Sequence, residues 1–175
     1  MIRRWLRTAS GIGAGLAGAM CVPGLMLWML AGYYAFLATP ARTPSALADA
    51  AIQAFPFAIY AAIVAGAHAV VLGVPAFLLL RRFGKATWRM SALAGGLIGL
   101  LPFAIYAFPR VRPGWSSGAW MWGEHRRFYV DGVPTLWEWL SYAENILMFA
   151  VFGASAALAF WLLWRRFGDQ PSSSG

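Results

Sequence analysis

The sequence predicts an all-α integral membrane protein: a bundle of four transmembrane helices with a short outer β-hairpin or interfacial segment. Four long runs carry no Asp, Glu, Lys or Arg, namely Thr8–Ala41, Ala50–Leu80, Met90–Pro109 and Asn145–Trp164. Each reaches the roughly 20 apolar residues that cross a hydrocarbon core. Hydrophobic residues make up 61% of the chain and charged residues 11%, against about 25% charged in soluble domains. A soluble fold of this size could not cover four such runs. In a bilayer each helix satisfies its own backbone polar groups. The whole chain, 1–175, reads as a single membrane domain.

The third observation is where the charges sit. Arg3, Arg4, Arg7, Arg81, Arg82, Lys85, Arg89, Arg165 and Arg166 fall on one side if the helices alternate. The other side holds Arg42, Arg110, Arg112, Arg126 and Arg127, balanced by Asp49, Glu124, Asp131, Glu138 and Glu144. Positive residues resist translocation, so both termini and the middle loop are expected in the cytoplasm, with the chain in the inner (plasma) membrane. The net charge of +8 thus points to anionic lipid head groups rather than to nucleic acid.

The elements follow in order, with helices expected over about 12–36, 55–80, 89–108 and 142–164. The first begins after Met-Ile-Arg-Arg-Trp-Leu-Arg, which resembles the basic start of a signal peptide, and Ala17-Gly18-Ala19 could be a cleavage site. The apolar run continues to Phe36-Leu37, too long for a signal peptide's core, so an uncleaved anchor is expected. The single cysteine, Cys21, lies inside this run and cannot form an intramolecular disulfide. Gly11, Gly15 and Gly18 make a stripe for close helix packing, and Pro23-Gly24 predicts a bend.

An outer loop, Thr39–Ser45, leads to a short surface helix, Ala46–Gln53, with Ser45 as its cap. The second span carries a small-residue face at Ala62, Gly66, Ala69 and Gly73, and Pro75 predicts a kink. Arg81-Arg82-Phe83-Gly84-Lys85 forms the inner loop. The third span has Gly95, Gly96 and Gly99 for packing and Pro102 for a bend. The tail, Gly168–Gly175, is expected to be disordered.

The outer segment, 110–141, holds Trp115, Trp120, Trp122, Trp137 and Trp139, half the chain's ten tryptophans. Asp131-Gly132 between β-favouring residues signals a two-residue hairpin turn. Thr135 is expected to cap a short helix, Leu136–Tyr142, with Glu138 completing a capping box.

Two short repeats occur. Pro-Phe-Ala-Ile-Tyr-Ala stands at Pro56–Ala61 and at Pro102–Ala107; Arg-Arg-Phe-Gly stands at Arg81–Gly84 and Arg165–Gly168. Their offsets, 46 and 84 residues, rule out one tandem duplication as the source of both. The simple account is that the two copies of each motif do the same interface job; the alternative is a hidden inverted repeat, as in some transporters.

His68 is the sharpest single residue, an ionisable group near the middle of the second span, where polar groups are costly and suggest a site. Neutral imidazole can relay protons, ligate a metal or bind haem. The plainer account is a packing histidine bonded to a carbonyl, and Pro75 frees the carbonyl of Val71 as a partner. Helical geometry puts His68 on a face with Ala61, Val64, Leu72 and Pro75. No second intramembrane His, Asp, Glu or Lys accompanies it, so no cofactor or metal is assigned.

Glu144 and Asn145 open the last helix, where an acid suits the helix dipole; the alternative is a polar site at the bundle mouth. Glu124, His125, Arg126 and Arg127, with Trp120 and Trp122, form a candidate docking patch. The plainer account is a solvated surface above an interfacial tryptophan belt. No His-Glu-x-x-His, Cys-x-x-Cys or Walker motif is present.

In topology the pattern resembles small multi-pass proteins of bacterial inner membranes. The expected role is non-enzymatic: an accessory, assembly or regulatory subunit that contacts a membrane-protein partner or its own copy through helix faces. The alternative is a small oligomeric transporter or channel with His68 on its path.

Overall fold

The computed structural model of the protein describes residues 2–38, 43–121 and 124–168, with the backbone alone for residues 2–8 and 38. Trp122, Gly123, loop residues 39–42 and tail residues 169–175 lie outside the described residues. The elements are α1 (Ile2–Ala38), α2 (Pro44–His68), a π-helical turn (Ala69–Gly73), α3 (Val74–Arg82), α4 (Trp88–Tyr106), β1 (Ser117–Met121), β2 (Glu124–Val130), β3 (Val133–Pro134) and α5 (Leu136–Gly168). Four helical stretches are long and apolar enough to cross a membrane: Ala9–Leu37, Pro44–Arg82, Trp88–Tyr106 and Leu136–Gly168.

Three of the expected helices are longer than the sequence suggested. α1 begins at Ile2 rather than near Ile12. The separate surface helix over Ala46–Gln53 does not exist, because α2 runs unbroken from Pro44 through it. Its alanine-rich first turns are strong helix formers, and Ala50 and Ala54 are buried, with Ala54 facing Gly32 of α1. Trp28 Nε1 donates to the carbonyl of Ala51 at 2.8 Å, pinning the two helices together. The cap is Thr43, whose Oγ1 accepts from Ala46 N, rather than Ser45. The short helix at Leu136 is likewise the first part of one helix that continues to Gly168.

The spans pack in the order second, first, fourth, third, and α2 and α4 do not pack against each other. Glycines set the inner contacts. The stripe Gly11, Gly15 and Gly18 faces α5, where a Cβ on Gly15 would lie 2.7 Å from the Phe160 ring. A side chain on Gly95 or on Gly153 would strike the other's backbone. The glycine faces that the sequence offered to a partner are therefore largely consumed inside the chain.

Near the end that carries Arg81 and Arg165, Ala19, Phe77, Phe160 and Trp164 form a buried cluster. Phe77 meets Phe160 and Trp164 edge-on at centroid distances of 5.0 and 4.9 Å. This contact depends on the π-helical turn. Pro75 has no N–H, and in a regular helix its ring would press on the carbonyl four residues back. The chain widens instead, and Val74 N donates to the carbonyl of Ala69, five residues back. At the position of the expected kink the helix thus widens locally, which shifts the residues after it by about one place around the axis.

At the other end, β1, β2 and β3 form a three-stranded antiparallel sheet in chain order. Val130 pairs with Val133. Between them Asp131 (φ 49°) and Gly132 (φ 82°) both take positive φ, the two-residue type I′ turn that Asp-Gly signals. β1, which the sequence reading left unassigned, pairs with β2. The capping box at Thr135 is not formed. Thr135 Oγ1 donates to the carbonyl of Arg127 at 2.7 Å, and Glu138 accepts from Tyr129 Oη at 3.2 Å. Both side chains tie the sheet to α5.

Candidate functional site

The helix order leaves a groove. The second and third spans approach each other only along α3 and the π-helical turn, and α2 and α4 stand apart. Between them opens a cavity of about 520 Å³, floored by α1 and α5. Its walls are nearly all apolar, with Ala61, Val64, Ala65 and Ala69 on one side and Ala94, Ile98 and Pro102 on the other. The volume falls within the range of about 300–1,000 Å³ typical of small-ligand sites.

His68 lines this groove and is half-buried. It stands midway along the apolar stretch from Phe55 to Leu80. Its Nδ1 lies 2.8 Å from the carbonyl oxygen of Val64. A carbonyl can only accept, so Nδ1 carries the proton. In the neutral ring Nε2 is then an acceptor, with no partner among the described residues. Pro75 made the Val71 carbonyl, one turn on, a plausible partner. The structure selects Val64, one turn back, because helix side chains lean towards the N-terminus.

The face around His68 also differs from the expectation. Leu72 and Pro75 are exposed and do not line the cavity; Gly73, Ala76, Phe77 and Leu80 do. The π-helical turn explains the change, since one extra residue per turn replaces 72 and 75 by 73 and 76 on the same side.

Ser91, on the first turn of α4, is the other polar side chain deep in the wall. It is 4% exposed, lines the groove, and its Oγ finds no hydrogen-bond partner among the described residues. A buried hydroxyl left in this state costs about 1–3 kcal/mol. Nothing in the sequence distinguished it. The repeated hexamers supply the opposite end. Tyr60 and Tyr106, the tyrosines of the two copies, both line the groove there, 70% and 92% exposed.

The remaining candidates are dispersed. Glu144 is not at a helix start, because α5 begins at Leu136 and places it more than two turns inside. The dipole's influence is confined to the first turn, where Glu138 sits instead. Asn145 Nδ2 donates to the carbonyl of Ser141 at 2.8 Å, and neither residue lines the groove.

The charged patch on β2 is divided by strand alternation. Glu124 and Arg126 pair on one face, with the Arg126 guanidinium 4.0 Å above the Trp137 ring. His125 and Arg127 alternate onto the other. His125 meets Trp120 edge-on at 6.1 Å, and Trp120 is 75% exposed. Trp122 lies outside the described residues. Among the described residues, no three of His, Cys, Asp and Glu converge on a metal position.

The run Gly114-Trp115-Ser116-Ser117-Gly118 spells Gly-x-Ser-x-Gly. A nucleophile serine needs a strand-to-helix turn and a histidine beside it. Ser116 instead precedes β1, and its Oγ accepts from Asp131 N at 3.1 Å, bracing the hairpin turn. It is a structural serine. No protein-family model, curated protein or solved structure matches the chain.

Proposed function

We propose that the chain is a non-enzymatic accessory, assembly or regulatory protein of the membrane that works by holding an apolar ligand, or an apolar segment of another membrane component, in the groove between its second and third spans. The observation that carries this reading is the groove itself, an apolar cleft of about 520 Å³ open between helices that do not pack together. The glycine faces, by contrast, are mostly engaged within the chain. In this reading the protein is an integral protein of a bacterial-type inner membrane. Its basic ends lie in the cytoplasm against anionic lipid and its sheet lies on the outer side, following the distribution of positive charge.

Purification of the tagged protein in mild detergent tests it. Wild type should retain a lipid, a partner or a second copy. Ala65→Phe, which fills the groove from one wall, should release what is retained. If wild type retains none of these, the reading fails.

A second reading rests on the unbonded Nε2 of His68 in the groove: a small oligomeric transporter or channel with this residue on its path. Flux into proteoliposomes should then fall in His68→Ala. Equal flux, or no flux in either, rejects it.

A further inference from the structure

We propose that the groove binds one acyl chain of an anionic phospholipid, with the head group at the Arg81–Arg89 end and Ser91 as the hydrogen-bond donor at the depth of the ester linkages. This rests on the groove-binding reading above and adds the ligand class and its orientation.

Wall chemistry favours hydrocarbon. From Tyr60 to Leu80 the groove follows about 30 Å of helix, an open cleft of about 520 Å³ whose walls between the two ends are apolar apart from His68. A hydrocarbon chain brings no polar group to be satisfied there.

Charge selects the head group. Arg81 and Arg82 follow Leu80 at the end of one wall, and Arg89 lies two residues before Ser91 on the other, with Lys85 in the connection between them. Arg81 and Arg89 rest on the rings of Trp164 and Trp88. None of the four has a carboxylate partner among the described residues, where the one ion pair is Glu124 with Arg126 at the far end. None of the four lines the cleft itself, but all lie close in sequence to its last lining residues, Leu80 and Ser91. This end thus opens beside a cluster of cationic donors, two of them over aromatic rings, a setting for phosphate.

Depth places the lipid's parts. Ser91 sits about 5 Å along the helix from Trp88, above the charged residues and below the purely apolar wall. Its hydroxyl is buried and unpartnered, and an ester carbonyl supplies the acceptor it lacks. The opposite mouth carries the hydroxyls of Tyr60 and Tyr106, and among the described residues no Asp, Glu, Lys or Arg lines that end.

The test reconstitutes the full chain in phosphatidylcholine vesicles carrying spin-labelled phosphatidylglycerol or spin-labelled phosphatidylcholine, and reads the motionally restricted fraction by electron paramagnetic resonance. The proposal expects several-fold stronger retention of phosphatidylglycerol. Arg89→Gln should cut that preference by about fivefold, and Ser91→Ala should lower it without abolishing it. Ala65→Phe, and independently Ala94→Leu from the opposite wall, should remove the restricted component, so that one poorly folded variant does not decide the result.

Equal retention of the two lipids, abolished by the groove-filling changes, overturns the anionic assignment and leaves the groove-binding reading standing. A restricted component indifferent to both groove-filling changes overturns both. Cross-linking of Ala65→Cys to a second copy or to another protein's helix would also overturn the lipid assignment.

Discussion

Tyr129 joins the sheet to the last helix through one hydroxyl. The residue is 4% exposed, packs at a tilt against Trp115 with ring centroids 4.8 Å apart, and donates to Glu138 on α5. Burial pushes its phenol above the ordinary value, and the neighbouring Glu138 carboxylate adds to the shift. A group whose folded pKa is raised contributes stability that is complete below the unfolded value of about 10 and is lost as pH rises through the folded one. The sheet's attachment to α5 is therefore expected to loosen above that value. The difference between wild-type and Tyr129→Phe phenolate absorbance should isolate a phenol that ionises late; a difference curve centred at or below the ordinary value would contradict the assignment. Gly132 is a second single-residue test. Its φ of 82° suits glycine, and a Cβ there would strike the carbonyl of Arg112. Gly132→Ala should cost the sheet about 1–3 kcal/mol, seen as faster proteolysis across 110–135. Asp131-Gly132 was legible in the sequence because a turn is a local decision. The partner of His68 was not, because a freed carbonyl at Val71 looked more available than the Val64 carbonyl that side-chain direction selects.

Among the elements, the second span departs furthest from a regular helix. Pro75 was visible in the sequence and a kink was the natural expectation. Whether a helix bends or widens at proline depends on what the following residues gain, and here Phe77 gains two aromatic neighbours. Phe77→Ala should cost about 3 kcal/mol, measured by unfolding in mixed micelles. Leu79→Ala, at a side chain 56% exposed, should change stability by no more than about 0.5 kcal/mol. A similar loss in both would mean that the rotated face is not what anchors the span. The same widening brings Ala76 and Leu80 into the groove, so the site was hidden from any pattern that assumes 3.6 residues per turn throughout. Helix starts were misjudged for a related reason. Charge-free runs report the apolar stretch, whereas α2 begins in an alanine-rich segment that contains Asp49 and is pinned by Trp28, and α5 in a tryptophan-rich segment that contains Glu138 and whose Tyr142 packs against Phe108 and Trp139.

For the whole molecule, the four apolar stretches and the alternation of basic ends were legible without coordinates, since both are sums over many residues. The order of packing was not, because glycine stripes occur on several helices and identify no partner. The charge distribution still makes a prediction about sidedness. In a Cys21→Ser background, Gly84→Cys should react with a membrane-impermeant thiol reagent only from the cytoplasmic side, and Ser45→Cys only from the other. The reverse result would invert the protein and move the anionic lipid site to the opposite leaflet.

The packing order also bears on synthesis. The two central helices, α1 and α5, lie far apart in sequence, and α4 finds its main neighbour only in α5. A growing chain can pair α1 with α2 early, but α4 waits in the bilayer with Gly95 and Gly99 uncovered until residues beyond 136 have been inserted. Assembly is therefore completed from the last helix backwards. A chain halted after β3 should be cleared by membrane proteases, and α5 supplied as a separate polypeptide should rescue it.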